Sequence, residues 1–130
     1  MITEKDYCDY DTCVALREVG YKGISRYFYA TKESPLRRYS YDQILTTRIA
    51  DAVGHTLAIS LYSAQKWLRE EKGLFVEVVM SYGKYDFDIC STKLEQNMTH
   101  KILCEIWGYK TYEEALSEGI KEAVKLLKEK

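Results

Sequence analysis

The sequence has almost no excess charge, a single proline and no long apolar run. Its 19 basic and 20 acidic side chains leave a net charge of −1. This balance argues against a dedicated polyanion coat, because such affinities come from surplus lysine and arginine. The longest apolar stretch, 74–80, is interrupted by Glu77 and is far shorter than the roughly 20 residues that cross a bilayer. We therefore expect no membrane association, and nucleic acid is not the partner that this composition favours.

The start of the chain also lacks the pattern of a secretory signal. Residues 1–11 hold several charged side chains and no apolar core, whereas a signal peptide needs an apolar central region. We therefore expect a cytoplasmic protein, in which cysteines stay as reduced thiols. The cysteines are Cys8, Cys13, Cys90 and Cys104.

Length and composition are those of one globular domain. The 130 residues are 46% hydrophobic and 30% charged, which excludes wholesale disorder. A chain of this size can bury a core without disulfides or metal, and no charge step separates its two halves. The expectation is a single domain over residues 1–130 that needs no cofactor.

The C-terminal segment predicts a helix over residues 112–128. Thr111 and Glu114 form a capping box, in which each side chain can bond the other residue's free backbone N–H. Apolar residues then recur at helical spacing, at Leu116, Ile120, Ala123, Val124 and Leu127. Gly119 lies on this helix and predicts a close approach to a sheet.

Two further helices are predicted upstream. One covers residues 61–72, with Ser60 as its N-cap and Gly73 just past its end. A shorter helix covers residues 12–19, begins at a cap of Asp11 or Thr12 and stops at Gly20.

Between the two longer helices the apolar period changes to two, which is typical of strands. Residues 74–80 predict a strand buried on both faces, residues 81–84 a hairpin turn, and residues 85–90 a second, alternating strand. Residues 101–107 predict a third strand, which completes an antiparallel meander. Earlier in the chain, residues 24–30 predict another strand, and residues 42–52 a short helix or an ordered loop.

These elements together predict an α+β fold. We expect a small, mainly antiparallel sheet with the helices at 61–72 and 112–128 on one face. The short helix at 12–19 is expected on the other face or at an edge.

Three segments together resemble a set of short uncharacterised proteins from gut Bacteroidales and their phages or mobile elements. They are residues 15–21 (ALREVGY), residues 64–70 (AQKWLRE) and residues 112–123 (YEEALSEGIKEA). The resemblance implies an architecture similar to small phage α/β/α-sandwich domains. It implies no activity, so no residue inherits a catalytic role from it.

Twelve tyrosines are the compositional oddity, and tyrosine with arginine dominates the energetics of protein interfaces. We therefore predict a non-enzymatic module that binds an unknown protein or a second copy of itself, with a homodimer as one outcome. The predicted surfaces are the Tyr/Arg-rich stretch 21–41 and a sheet face that carries two aromatic rings. Their residues are Arg26, Tyr27, Tyr29, Arg37, Arg38, Tyr39, Phe75 and Trp107.

Two other functions stay open. Asp86 and Asp88 lie on one face of their strand, and Glu77 and Glu105 can join them, which would suit a metal-dependent or hydrolytic enzyme. The basic and aromatic side chains of stretch 21–41 would suit a single-stranded nucleic-acid binder.

The cysteines give weaker signals. Neither the Cys8–Cys13 pair nor the His100–Cys104 pair has the spacing of a zinc knuckle, so no metal site is expected from them. Cys90 faces away from the apolar side of its strand, so its position makes it the candidate for a reactive thiol, although a structural cysteine is the commoner case.

Overall fold

The computed structural model of the protein describes residues 4–39, 45–91 and 108–129. Its fold class is α+β with antiparallel strand pairing, as predicted. The chain divides into two compact units, residues 1–60 and residues 61–130, and each is described by itself. The single domain over residues 1–130 stays a prediction. No helix within the described ranges is long and apolar enough to span a membrane.

The first unit contains short elements that follow a 3-10 turn at Glu4–Asp6. Its helices are α1 (Tyr10–Glu18) and α2 (Thr47–Ala52). Its strands are β1 (Ile24–Ser25), β2 (Tyr27–Tyr29), β3 (Arg37–Arg38), β4 (Leu45–Thr46) and β5 (Thr56–Leu57). Its buried apolar residues include Cys8, Cys13, Leu16, Tyr21, Tyr29, Leu45, Ala50, Leu57, Ala58 and Ile59.

Helix α1 begins earlier than the sequence predicted. Asp9, in extended backbone, accepts a hydrogen bond from the Thr12 backbone N–H at 2.8 Å. This is the geometry of an N-cap, so the predicted cap at Asp11 or Thr12 is wrong. The helix ends before Gly20, as predicted, where a φ of 106° favours glycine. Helix α1 packs against β5, an edge strand of its small sheet.

The predicted strand over residues 24–30 is two strands with different partners. β1 pairs with β4, whereas β2 lies between β3 and β5. The break falls at Arg26, because the Tyr27 backbone N–H donates to Ser25 Oγ at 3.0 Å and leaves the β1 ladder. Within the predicted segment 42–52, the described residues 45–52 form the short strand β4 and then the short helix α2, which is capped by Thr46.

The second unit is a helix-covered hairpin. It contains α3 (Leu61–Glu71), β6 (Leu74–Ser81), β7 (Lys84–Ser91) and α4 (Tyr112–Lys128). Both helices contact β6 and each other, which confirms the predicted packing of two helices on antiparallel strands. The predicted third strand at 101–107 lies outside the described residues. Just after it, Tyr109 pairs antiparallel with Tyr85 through backbone hydrogen bonds of 2.9 and 2.6 Å.

The helices cover one face of the hairpin, on which Val76 and Phe87 are buried. Strand β6 is not buried on both faces as predicted: Glu77 is exposed, and Phe75 and Val79 are half-buried. The reason is that α3 and α4 pack on the side of Val76, and alternate residues of a strand point to opposite faces.

Helix α4 confirms the predicted N-cap at Thr111, which is one half of the predicted capping box, and the predicted apolar stripe. Thr111 Oγ1 accepts a hydrogen bond from the Glu114 backbone N–H at 3.1 Å, and Leu116, Ile120 and Val124 are buried. A Cβ on Gly119 would overlap Val76 Cγ1 and lie 3.1 Å from Phe87. Glycine therefore permits the close approach of helix and sheet that the sequence predicted.

Candidate interaction surfaces

Three cations of the Tyr/Arg-rich stretch lie at the surface as predicted. Arg26, Arg37 and Arg38 are exposed. Arg37 and Arg38 form β3, which in the described part of the chain pairs only with β2. Charged side chains on an edge strand discourage uncontrolled strand pairing, which gives this placement a structural explanation.

The tyrosines of the same stretch lie mostly inside the first unit. Tyr29 is 6% exposed, and its hydroxyl donates to the Cys8 carbonyl at 2.8 Å. Burial is the largest cause that raises its pKa. Tyr29 is thus a core residue, and the structure corrects its assignment to an exposed surface.

Tyr27 and Tyr39 are half-buried and pack on other rings. Tyr27 lies 5.2 Å from the Tyr7 ring centroid, and Tyr39 meets the edge of Phe28 at 6.3 Å. Binding of single-stranded nucleic acid needs ring faces free to stack on bases. In the described part of stretch 21–41 these rings are largely engaged within the protein, which weighs against that alternative.

The second predicted surface is described only in part. Phe75 is half-buried, and the Arg69 guanidinium lies 5.6 Å from its ring centroid, a cation–π contact. Trp107, the other aromatic residue assigned to this face, lies outside the described residues.

The acidic residues of the hairpin share one face, as predicted. The register pairs Glu77 with Asp88 and Val79 with Asp86, so the three carboxylates point away from the helices. The Oδ1 atoms of Asp86 and Asp88 are buried without a hydrogen-bond partner. Nevertheless, no group of three or more His, Cys, Asp or Glu residues in the described ranges is placed to hold a metal ion, and Glu105 lies outside them.

Cys8, Cys13 and Cys90 are free thiols. Burial, Asp88 and then Glu77 raise the pKa of Cys90, which opposes the thiolate that a nucleophile requires. This shift lends no support to Cys90 as a nucleophile. A hydrogen bond to Cys13, followed by burial, raises the pKa of Cys8.

A nucleophilic cysteine needs a nearby histidine that can take up the thiol proton. Among the described residues, no hydrogen bond joins a histidine to a thiol. His55 stacks on Phe28 with ring centroids 4.5 Å apart. His100 and Cys104 lie outside the described residues.

The sequence reasoning missed an exposed cluster at the end of the hairpin. We call Met80, Tyr82, Tyr85 and Tyr112 the hairpin tip. Met80 is 67% exposed, Tyr112 is 45% exposed and Tyr82 is fully exposed. The rings of Tyr85 and Tyr112 meet edge to face at 6.2 Å. The signal for it was the pair Tyr82-Gly83 at a turn that ordinarily takes Asn-Gly.

A cleft of about 630 Å³ in the first unit was also missed. We call it the basic cleft. Its lining contains three cations, Arg17, Lys22 and Arg48, and the acid Asp51. These residues come from the end of α1, the following loop and α2, so only the folded chain brings them together.

A scan against protein-family models and searches of the curated proteins and the solved structures find no match to this chain. The resemblance to proteins of gut Bacteroidales therefore stays a prediction.

Proposed function

We propose that this protein is a protein-interaction module and that its hairpin tip anchors in a pocket of its partner. The observation that carries the proposal is the backbone and exposure of Tyr82. This residue has a φ of 51°, and its side chain is fully exposed.

The conformation of Tyr82 is costly for the isolated chain. Tyr82 and Gly83 both have positive φ, as a type I′ turn requires, and Asn-Gly or Gly-Gly suits such a turn best. A side chain in the left-handed region costs about 1–2 kcal/mol. Because Tyr82 is fully exposed, no intramolecular burial offsets this cost. Unrelieved strain at an exposed residue is a feature of binding sites.

The rest of the hairpin tip has the composition of an interface centre. Tyrosine and methionine are enriched at protein interfaces, and a few such residues supply most of the binding energy. The Tyr85–Tyr109 backbone hydrogen bonds fix the base of the hairpin tip. A preordered anchor loses less conformational entropy on binding.

The surrounding charges indicate the chemistry of the partner. Lys84 and Lys110 are exposed beside the hairpin tip in sequence, and the described residues give neither of them an ion pair. A partner pocket that is apolar at its centre and acidic at its rim would complement both features.

The test is site-specific photo-crosslinking in the native host. A benzophenone amino acid replaces Tyr82, and in a matched control it replaces Tyr62, an exposed tyrosine of α3. We expect a discrete protein adduct from position 82 and none from position 62. An adduct twice the mass of this chain would identify self-association. Equal background labelling at both positions would contradict the proposal.

A stability measurement on Tyr82→Asn supplies an independent arm. Asparagine tolerates the left-handed region, so we expect the free energy of unfolding of this variant to be about 1 kcal/mol higher than that of the native chain. We also expect the variant to lose its complex with the partner. Tyr62→Asn should leave the complex intact. Retention of the complex by Tyr82→Asn would show that Tyr82 is not the anchor.

A further inference from the structure

The basic cleft carries positive charge that the described residues do not neutralise. Arg17 Nη1 lies 2.7 Å from Asp51 Oδ1, so these two side chains compensate each other. Lys22 and Arg48 are exposed, and neither has an ion pair within the described ranges. Among the described residues of the lining, Lys22 and Arg48 are therefore available to a ligand, and Arg17 and Asp51 form a neutral pair.

Apolar surface lies next to these cations. Ile24, which lines the basic cleft, is 62% exposed. Ile49 and Val53 are also exposed; their spacing of four residues puts them on one side of α2, next to the side that carries Arg48. Exposed aliphatic residues beside cations favour a ligand that is both apolar and anionic.

Local hydrogen bonds and packing set the shape of the basic cleft. Gly23 N–H donates to Thr47 Oγ1 at 3.5 Å, which ties the loop to α2. Ile24 pairs with Thr46 across the β1–β4 ladder. The Tyr21 ring packs so closely over Gly23 that a Cβ there would overlap it. A cleft fixed in this way needs little ordering when a ligand binds.

The lining distinguishes between two classes of polyanion. Single-stranded nucleic acid binds by stacking its bases on exposed aromatic faces, but Tyr21, the one aromatic side chain among the described residues of this lining, is only 6% exposed. Aliphatic Ile24 instead suits an aliphatic side chain, and carboxylates suit Lys22 and Arg48.

We propose that the basic cleft binds an acidic peptide segment of a partner protein. Carboxylates of the segment pair with Lys22 and Arg48, and an aliphatic side chain of the segment packs on Ile24. The site belongs to the first unit and the hairpin tip to the second, so neither proposal depends on the other.

The test selects peptides from a random phage-displayed library on the purified full chain. We expect the enriched peptides to combine aspartate or glutamate with leucine, isoleucine or valine. An enriched peptide is then synthesised with a fluorophore, and its affinity is measured by anisotropy. The double variant Lys22→Glu/Arg48→Glu should bind it at least about tenfold more weakly, as expected for loss of close charge pairs.

Matched variants separate this site from general charge attraction. Lys5→Glu/Lys66→Glu makes the same change in net charge at exposed positions that do not line the basic cleft, and it should keep near-native affinity. Ile24→Ser should weaken binding severalfold without altering its salt dependence. Far-UV circular dichroism checks that each variant is folded.

Three results of the peptide experiments would overturn the proposal. They are a failure to enrich any peptide, enriched peptides without acidic residues, and equal weakening in the two double variants. An oligothymidylate probe provides the nucleic-acid arm. Tighter binding of this probe than of the selected peptide, with loss in Lys22→Glu/Arg48→Glu, would assign the basic cleft to nucleic acid instead.

Discussion

Replacing Gly119 by alanine tests how closely α4 approaches the hairpin. Gly119 is buried in the middle of α4, where alanine is ordinarily the better helix former. A new Cβ would overlap Val76 Cγ1 and lie 3.1 Å from Phe87, well inside the 3.5–4.0 Å at which carbon atoms pack best. Val76 and Phe87 are themselves buried, so neither can turn aside into solvent.

Two effects of opposite sign decide the outcome of Gly119→Ala. Higher helix propensity stabilises the variant by about 1 kcal/mol. Overpacking of a filled core destabilises it by about 1–3 kcal/mol. We expect packing to win, so that the free energy of unfolding falls by about 1 kcal/mol.

Urea unfolding, followed by far-UV circular dichroism, measures this change. Ser117→Gly and Ser117→Ala on the same helix serve as the control. The difference between their free energies of unfolding measures the gain from helix propensity at a position where no such overlap exists. In a Val76→Ala background the main clash is removed. There, Gly119→Ala should become neutral or stabilising, with a coupling energy between the two sites of about 1–2 kcal/mol.

The sign of the result is decisive. If Gly119→Ala stabilises the chain as much as the Ser117 pair indicates for propensity alone, α4 lies farther from β6 than described. Equal effects of Gly119→Ala in the native and Val76→Ala backgrounds would also refute the reasoning, because they would show that the two residues do not touch.

Two further predictions concern the cap of α4 and the alkaline limit of stability. Thr111→Ala removes the acceptor for the Glu114 N–H and should lower the free energy of unfolding by about 1 kcal/mol, whereas Thr111→Ser should retain most of it; urea unfolding that gave equal values for both variants would contradict the cap. The pKa values of Cys8 and Tyr29 are raised, so the folded chain retains both protons to higher pH than the unfolded chain does. The contribution of these two groups to the free energy of unfolding is therefore fully present below about pH 8.5. It falls as the pH rises, by up to about 1.4 kcal/mol per pH unit for each group. Tyr29→Phe loses a hydrogen bond, so its free energy of unfolding at neutral pH should be about 1 kcal/mol lower than that of the native chain. Above about pH 10, however, its free energy of unfolding should fall less steeply with pH, as measured by urea unfolding at a series of pH values. An unchanged pH dependence would contradict the raised pKa of Tyr29.

The helices and strands of the second unit could be predicted from the sequence because they are long. Strands β6 and β7 have 8 residues each, and α4 has 17. Each is long enough for its apolar period to repeat several times, so chance matches are averaged out. The capping residue Thr111 also predicted where α4 begins, and the structure shows the hydrogen bond that this cap requires.

The first unit was less predictable because its strands have only 2 or 3 residues. A period of two cannot be recognised over so few positions. What divides residues 24–30 is instead a set of local hydrogen bonds around Arg26: the Tyr27 N–H donates to Ser25 Oγ, and the Tyr39 N–H donates to the Arg26 carbonyl. Such bonds depend on the folded loop and leave no periodic trace.

Whether a candidate residue is exposed as predicted depends on the polarity of its side chain. Arg26, Arg37 and Arg38 were safely placed at the surface, because an unpaired guanidinium is rarely buried. Tyrosine carries no such constraint, since its ring is apolar and its hydroxyl needs only one partner. Tyr29 finds that partner in the Cys8 carbonyl, which lies 21 residues away in sequence, and composition gives no sign of it.

Tyr29 and Tyr82 contrast a tyrosine that stabilises the fold with one for which we propose a role in binding a partner. Tyr29 gains burial and a hydrogen bond, so its presence follows from the stability of the first unit. Tyr82 is fully exposed at a φ of 51°, where asparagine or glycine would be more stable. Violations of a local rule concentrate at functional sites, and this tendency supports the proposal that contacts with a partner offset the cost at Tyr82. This contrast is why we place the anchor at the hairpin tip rather than in the Tyr/Arg-rich stretch.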